Sequence, residues 1–255
     1  MMKAVSILTA LTLAAVTSAH ISIYGVWING EFQGDGRHVY ERTKFNIETN
    51  GPVRNPDWSY IACHTLGNRE QHKWLEVKAG DTFAPEWFWS KRGDMYSGNH
   101  VGPLLVYMAP AVSTGVNTPN IWTKLYHYGY NATDQFWADD YFKKDATPTR
   151  GHHFVTIPDV PAGDYLIRSE IITLQEAWAL NGAQHYPSCV QVRVTTDGKK
   201  TLPGGVSFPG TYLPNQPGLR WPPYGTEIAD PTNYPLPGGD VWEGSPGGGI
   251  YGLNA

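Results

Sequence analysis

Val101-Gly102-Pro103-Leu104-Leu105-Val106-Tyr107-Met108-Ala109 is a short, almost uninterrupted apolar run opened by a Gly-Pro step. Bounded that way, it reads as a buried strand. Working outward, comparable apolar or alternating runs fall at residues 21–27, 122–130, 153–157, 165–172 and 188–195, each ended by Gly, Pro, Asn or Asp. No stretch holds a helical period over three turns, and residues 174–180 offer one or two turns at most. The expectation is an all-β chain, an immunoglobulin- or fibronectin III-like antiparallel β-sandwich with long surface loops. Residues 30–42 and 95–98 read as such loops, which carry function at the ends of sandwiches. From Pro203 to Ala255 the chain has 12 Gly and 10 Pro. That density excludes regular strands and predicts an extended coil wrapped around the sandwich.

Residues 1–19 have the layout of a secretory signal peptide: Lys3, an apolar stretch over 4–16, and the small residues Thr17-Ser18-Ala19 before the cut. The chain is therefore expected to be secreted and extracellular. What remains, 20–255, reads as one domain without an internal repeat or an appended carbohydrate-binding module, acting as a monomer. The leading apolar segment is too short for a membrane anchor and no second one follows, so no membrane partner is expected. Without Lys3 there are 18 basic against 23 acidic residues, a formal charge of −5, which argues against a nucleic-acid partner. Charged residues make up 16% and aromatics 13%, with ten Trp and fifteen Tyr. This balance fits binding of a neutral ligand such as carbohydrate, although for any single ring the core is the better expectation.

Cleavage after Ala19 would leave His20 with a free α-amino group. Amine and imidazole of one residue can chelate one metal ion, and that donor set suits copper. The plain alternative is that the signal merely ends before a histidine. In an oxidising compartment the two cysteines, Cys63 and Cys189, are expected to pair, closing 125 intervening residues. A loop of that length is worth about 4–5 kcal/mol in the chain-entropy model. Two free thiols as metal ligands are the alternative, but nothing near either cysteine has zinc-like spacing.

A second histidine, His100, stands at a loop–strand junction in Ser97-Gly98-Asn99-His100-Val101-Gly102-Pro103. Further on, in Gln184-His185-Tyr186-Pro187-Ser188-Cys189, strand alternation puts Gln184 and Tyr186 on one face and His185 on the other. Also present, in order, are Ile61-Ala62-Cys63, the run Pro161-Ala162-Gly163-Asp164-Tyr165-Leu166-Ile167-Arg168-Ser169-Glu170, Val206-Ser207-Phe208-Pro209-Gly210-Thr211-Tyr212 and Tyr234-Pro235-Leu236-Pro237-Gly238. Each motif alone is weak. Together, and across the whole mature chain, they resemble the lytic polysaccharide monooxygenases of auxiliary activity family 9, formerly glycoside hydrolase family 61.

The resemblance implies one copper ion held by His20, through amine and imidazole, and by His100, with Tyr186 axial and Gln184 beside it hydrogen-bonding the oxygen co-substrate. It also implies an external electron donor and oxidation at a glycosidic link by O2 or H2O2. Tyr234 would stack on the substrate, with Trp221 and Tyr224 as weaker candidates. The sequence departs from the family pattern at one position. Where the family usually has a histidine, nine residues before Gln184, this chain has Gln175. An amide still donates and accepts hydrogen bonds, but it does not titrate, so a proton-steering role would be lost.

The other histidines read as incidental. His152 and His153 are adjacent and face opposite ways, and His38, His64, His72 and His127 are isolated, though His38 or His64 could touch substrate. Asn131-Ala132-Thr133 is a sequon for N-glycosylation. Asp139-Asp140 reads as a solvated doublet rather than a glycosidase acid/base pair. The leading function is a secreted, copper-dependent monooxygenase acting on a β-linked glucan such as cellulose. The rival is a copper-binding or carbohydrate-binding protein with little turnover because of Gln175. A structural cell-wall protein, with His20 and His100 incidental, is the third reading.

Overall fold

The computed structural model describes residues 21–42, 51–93, 100–143, 152–221 and 230–250. The signal segment, His20 and Tyr224 lie outside the described residues, as does the predicted loop at 95–98. The strands are β1 (Ser22–Ile28), β2 (Glu31–Asp35), β3 (Leu75–Val77), β4 (Thr82–Phe88), β5 (Leu104–Pro110) and β6 (Thr123–Tyr128). They continue with β7 (Tyr130–Asn131), β8 (Phe136–Trp137), β9 (His153–Thr156), β10 (Gly163–Thr173), β11 (Gln184–Val194) and β12 (Gly248–Ile250). One five-stranded sheet runs β12-β9-β4-β1-β2 and the other β3-β11-β10-β5-β6. The β11–β3 pair is parallel and the other ladders are antiparallel. Among the described residues helix is confined to a four-residue turn, Tyr60–Cys63, and two short 3-10 segments. The architecture is an antiparallel β-sandwich.

Two expectations about loops are corrected. Residues 30–42 include an edge strand, because Ile28 pairs with Glu31 across Asn29-Gly30. Both of those turn residues have positive φ, 51° and 82°, the geometry that a two-residue Asn-Gly hairpin supplies. The glycine-rich tail also contributes a strand, β12, on the edge beside β9. A ladder there needs only backbone, and a Cβ on Gly248 would sit 2.3 Å from the Phe154 carbonyl oxygen.

Between the sheets lies a core that includes Ile23, Val26, Phe83, Leu104, Val106, Ile171, Tyr186 and Val190. A second cluster fills the outer face of the β11-β10-β5 sheet, where Leu105, Tyr107, Leu166 and Cys189 meet Phe208 and Tyr212 of the C-terminal wrap. Cys63 and Cys189 form the expected disulfide. This outer layer also encloses a polar network. Arg168 donates to the Ile61 and Ala62 carbonyls and to Glu170 Oε2. Glu170 also pairs with His185 Nδ1 at 2.9 Å and accepts from the Tyr212 hydroxyl. Lys124 fastens the wrap by donating to the Pro237 and Gly239 carbonyls.

Candidate metal centre

The β5–β10 ladder runs on past the end of β5. Ile172 N–H donates to the Pro103 carbonyl at 3.1 Å and Leu174 N–H to the Val101 carbonyl at 2.8 Å. Gly102 makes this approach possible, since a Cβ there would fall 1.9 Å from the Ile172 carbonyl oxygen. Its N–H is held from the other side by Asp139 Oδ1 at 2.9 Å. His100 is thereby set at the same sheet end as Leu174 and Gln175, while Thr173 pairs with Gln184 on β11. By strand alternation His100, Thr173, Gln184 and Tyr186 share the face that looks between the sheets, the face to which Leu104, Ile171 and Tyr186 contribute core. Ile21, the first described residue, belongs to that same buried cluster.

His100 is buried, and its pKa is pushed down to about 4, first by burial and then by the charge of Lys143, against an opposing pull from Glu176. The imidazole is thus neutral across the physiological range and can offer a lone pair to a metal. Tyr186 is fully buried and its pKa is raised by desolvation, so the phenol keeps its proton. That hydroxyl donates to Gln184 Oε1 at 2.8 Å, and among the described residues both Gln184 amide hydrogens remain for another acceptor. Gln175 Oε1 is buried and has no hydrogen-bond partner among the described residues. Such an orphan asks for a donor. Among the described residues no three His, Cys, Asp or Glu side chains converge. The donor set that the resemblance implies draws only His100 from them, its amine and second imidazole coming from His20, and the neutral, buried His100 fits that set.

The connection between β10 and β11 is pinned rather than loose. Ala177 N–H bonds the Leu174 carbonyl, Trp221 N–H bonds the Ala177 carbonyl, and Arg54 pairs with Glu176 at 2.6 Å. It presents Trp178, 60% exposed, three residues beyond Gln175. Tyr234 behaves otherwise and corrects its assignment as a substrate platform. It is only 9% exposed, its hydroxyl donates to the Gly218 carbonyl, and its ring meets Trp137 and Trp221 edge-on at 4.9 Å. A ring packed that way offers no face to a polymer.

A family assignment follows once this geometry is compared with known proteins. The sequence model of Auxiliary Activity family 9 (formerly GH61) matches residues 20–234. The chain belongs to that family. It is 44% identical over 247 residues to an AA9 family lytic polysaccharide monooxygenase A of Armillaria gallica, covering 92% of this chain and 93% of that one. A Schizophyllum commune protein described in the same words is 38% identical, at 94% and 96% coverage. Among solved structures, CvAA9A superposes with a TM-score of 0.79 at 32% identity, covering 89% of this chain and 99% of its own. Cel61B from Hypocrea jecorina, a glycoside hydrolase family 61 member, does so with 0.67 at 25%, covering 88% and 100%. The protein is accordingly an oxidoreductase, a polysaccharide-cleaving monooxygenase.

His152, His153 and His185 have other partners. His153 is buried between Trp87 Nε1 and Ser169 Oγ, each at 3.2 Å, while His152 turns toward Glu86. His185 faces the outer network, as strand alternation requires. Asp139 is not solvated as expected: it is fully buried and positions the His100 segment through Gly102. Its setting between Trp137-Ala138 and Tyr141-Phe142 is the signal that marks it as an interior group. Asn131 sits in the β7–β8 turn, its amide nitrogen donating to Asp134 and to the Tyr141 hydroxyl at 3.1 Å.

Proposed function

We propose that the mature protein begins at His20 after removal of residues 1–19, is secreted as a monomer, and cleaves a β-glucan of the cellulose type with one copper ion. What supports this reading is a neutral, buried His100 on the segment that extends β5, with Tyr186 and its bonded partner Gln184 facing the same inter-sheet side, in a chain that the family's sequence model matches from residue 20. His20 would hold the ion through its amine and imidazole, and His100 through its imidazole, with the Tyr186 hydroxyl facing the same side of the sheet. Copper held there would supply one-electron redox chemistry with O2 or H2O2, given electrons from an external donor.

The chain's own groups do the rest. Tyr186 fixes the Gln184 amide by occupying its carbonyl, so the Nε2 hydrogens would be left to bond the co-substrate. Burial of this residue set keeps bulk water from the reacting atoms. Trp178 offers an exposed ring to the flat face of a glucan, in the place first sought for Tyr234. Asn131, in its exposed turn, remains the proposed glycan attachment point.

Copper-loaded protein starting at His20 should release oxidised oligosaccharides from amorphous cellulose with ascorbate, read by mass spectrometry. Copper bound with no oxidised product would favour instead a binding protein with little turnover. A protein carrying one extra residue before His20 loses the free amine and should bind copper at least tenfold more weakly. Equal affinities by calorimetry for the trimmed and extended forms would refute the chelate.

A further inference from the structure

A cavity of about 270 Å³ opens beside the Tyr60–Cys63 helical turn, and its walls include Tyr60, His64, Leu66, Asn68, Arg69 and Asn117. It does not belong to the metal centre. The turn packs on β11 around Cys189, five residues along the strand from Gln184, or roughly 17 Å at ordinary strand rise. Cys189 also faces the outer side of its sheet, whereas Gln184 faces the inner side.

The free hydrogen-bonding capacity of the walls defines the ligand. His64 has none: its Nε2 bonds the Gly51 carbonyl at 2.7 Å, and its Nδ1 accepts from Thr65 N–H at 2.8 Å. Asn68 Oδ1 accepts from Val116 N–H and its Nδ2 donates once, to Asn117 Oδ1, so one N–H remains. Asn117 places both amide hydrogens on the Ser59 and Phe208 carbonyls, so only an acceptor lone pair remains. The Arg69 guanidinium has no ion-pair or side-chain hydrogen-bond partner among the described residues, and the rim carries the Tyr60 ring, 47% exposed. The walls thus combine an aromatic face, spare donors and a spare acceptor. A simple anion would engage the Arg69 guanidinium and the Asn68 N–H but leave the Asn117 lone pair and the Tyr60 face without a partner, and an apolar ligand would leave all of the polar groups unpaired. Vicinal hydroxyls on a pyranose ring both donate and accept, and the ring's C–H face suits Tyr60. The volume lies just under the range of about 300–1,000 Å³ usual for drug-sized ligands, which suits one sugar unit.

We propose that this cavity is an accessory site for a single neutral pyranose unit of the polysaccharide, separate from the cleavage site. It rests on the polysaccharide reading of the protein but not on copper. The test is an amide-shift titration of metal-free, ¹⁵N-labelled protein with cellohexaose, alongside Tyr60→Ala and Arg69→Ala, both changes at the rim. Saturable shifts are expected at residues 66–69 and 116–117, weakened at least fivefold in both variants, while shifts at residues 174–186 and copper affinity stay as in the wild type. Absence of shifts at 66–69 and 116–117 overturns the proposal, as does unchanged affinity in both variants. Displacement of the sugar by equimolar sulfate identifies an anion site and overturns it too. Failure of turnover, by contrast, would touch only the copper reading.

Discussion

Gln175 carries a buried carbonyl oxygen that accepts no hydrogen bond among the described residues, a state that costs about 1–3 kcal/mol unless a donor reaches it. Gln175 follows Leu174, whose N–H bonds the Val101 carbonyl next to His100, at the sheet end proposed to hold the co-substrate. An imidazole there would shuttle a proton, while an amide only holds one in place. Gln175→His should therefore raise peroxide-driven oxidation several-fold, with copper affinity unchanged because the side chain only orients what the metal carries. Initial rates of both proteins at equal copper loading and several pH values decide the matter. A slower histidine variant would mean that Gln175 and Gln184 act as a matched pair of amides.

At the scale of the element, the site depends on how the segment entering β5 is held. Gly102 has room for no side chain, and its N–H has one acceptor, Asp139 Oδ1. Asp139→Ala leaves that N–H buried and unmet, and should cost about 1–3 kcal/mol by urea unfolding. It should also weaken copper binding by letting His100 shift, whereas Asp140→Ala, from the partly exposed neighbour that pairs with Lys143, should leave copper binding as it was. Equal copper affinity in Asp139→Ala and wild type would remove Asp139 from the positioning of His100. The strand beginning here was legible because residues 104–109 form an apolar run set off by Gly-Pro. The same holds for β10 and β11, whose alternation placed Gln184 and Tyr186 together. The strand β4 was hidden because Phe83–Phe88 is buried on both faces and contains Pro85, which erases the period-two signal. Asn29-Gly30 did announce the β1–β2 hairpin, and the signal was masked by the polar edge strand that follows it. The burial of Tyr234 was not legible, since a Tyr in a proline-rich stretch reads alike whether it faces solvent or packs between Trp137 and Trp221.

At the scale of the whole molecule, the sandwich is tied on its outer side by a disulfide across a sequence separation of 126 residues, worth about 4–5 kcal/mol as chain entropy, and by the network around Glu170. Burial opposes the charge of Glu170, but Arg168 and His185 more than offset it and hold its pKa down to about 2. Glu86 is likewise held to about 2: burial is outweighed by hydrogen bonds from His152, Arg92 and Trp27. A carboxylate whose pKa is lower folded than unfolded contributes stability above its ordinary range, near 4.5, and loses it as the pH falls through about 2. His153, driven to about 3 by burial and by its neighbour His152, has the same sign from 6.5 downward, because the unfolded chain takes up the proton first. Stability should therefore be highest near neutrality and fall progressively from pH 6.5 to 2. Glu170→Gln should cost about 3–5 kcal/mol at pH 7, since it strands the Arg168 charge in the interior. Having lost the titrating group, the variant should then show a shallower decline between pH 4.5 and 2 than the wild type. Urea midpoints at pH 7, 4.5 and 2.5 for the two proteins measure both effects. Parallel declines would show that Glu170 titrates alike in the folded and unfolded chains, and that the network holds the wrap by packing rather than by charge.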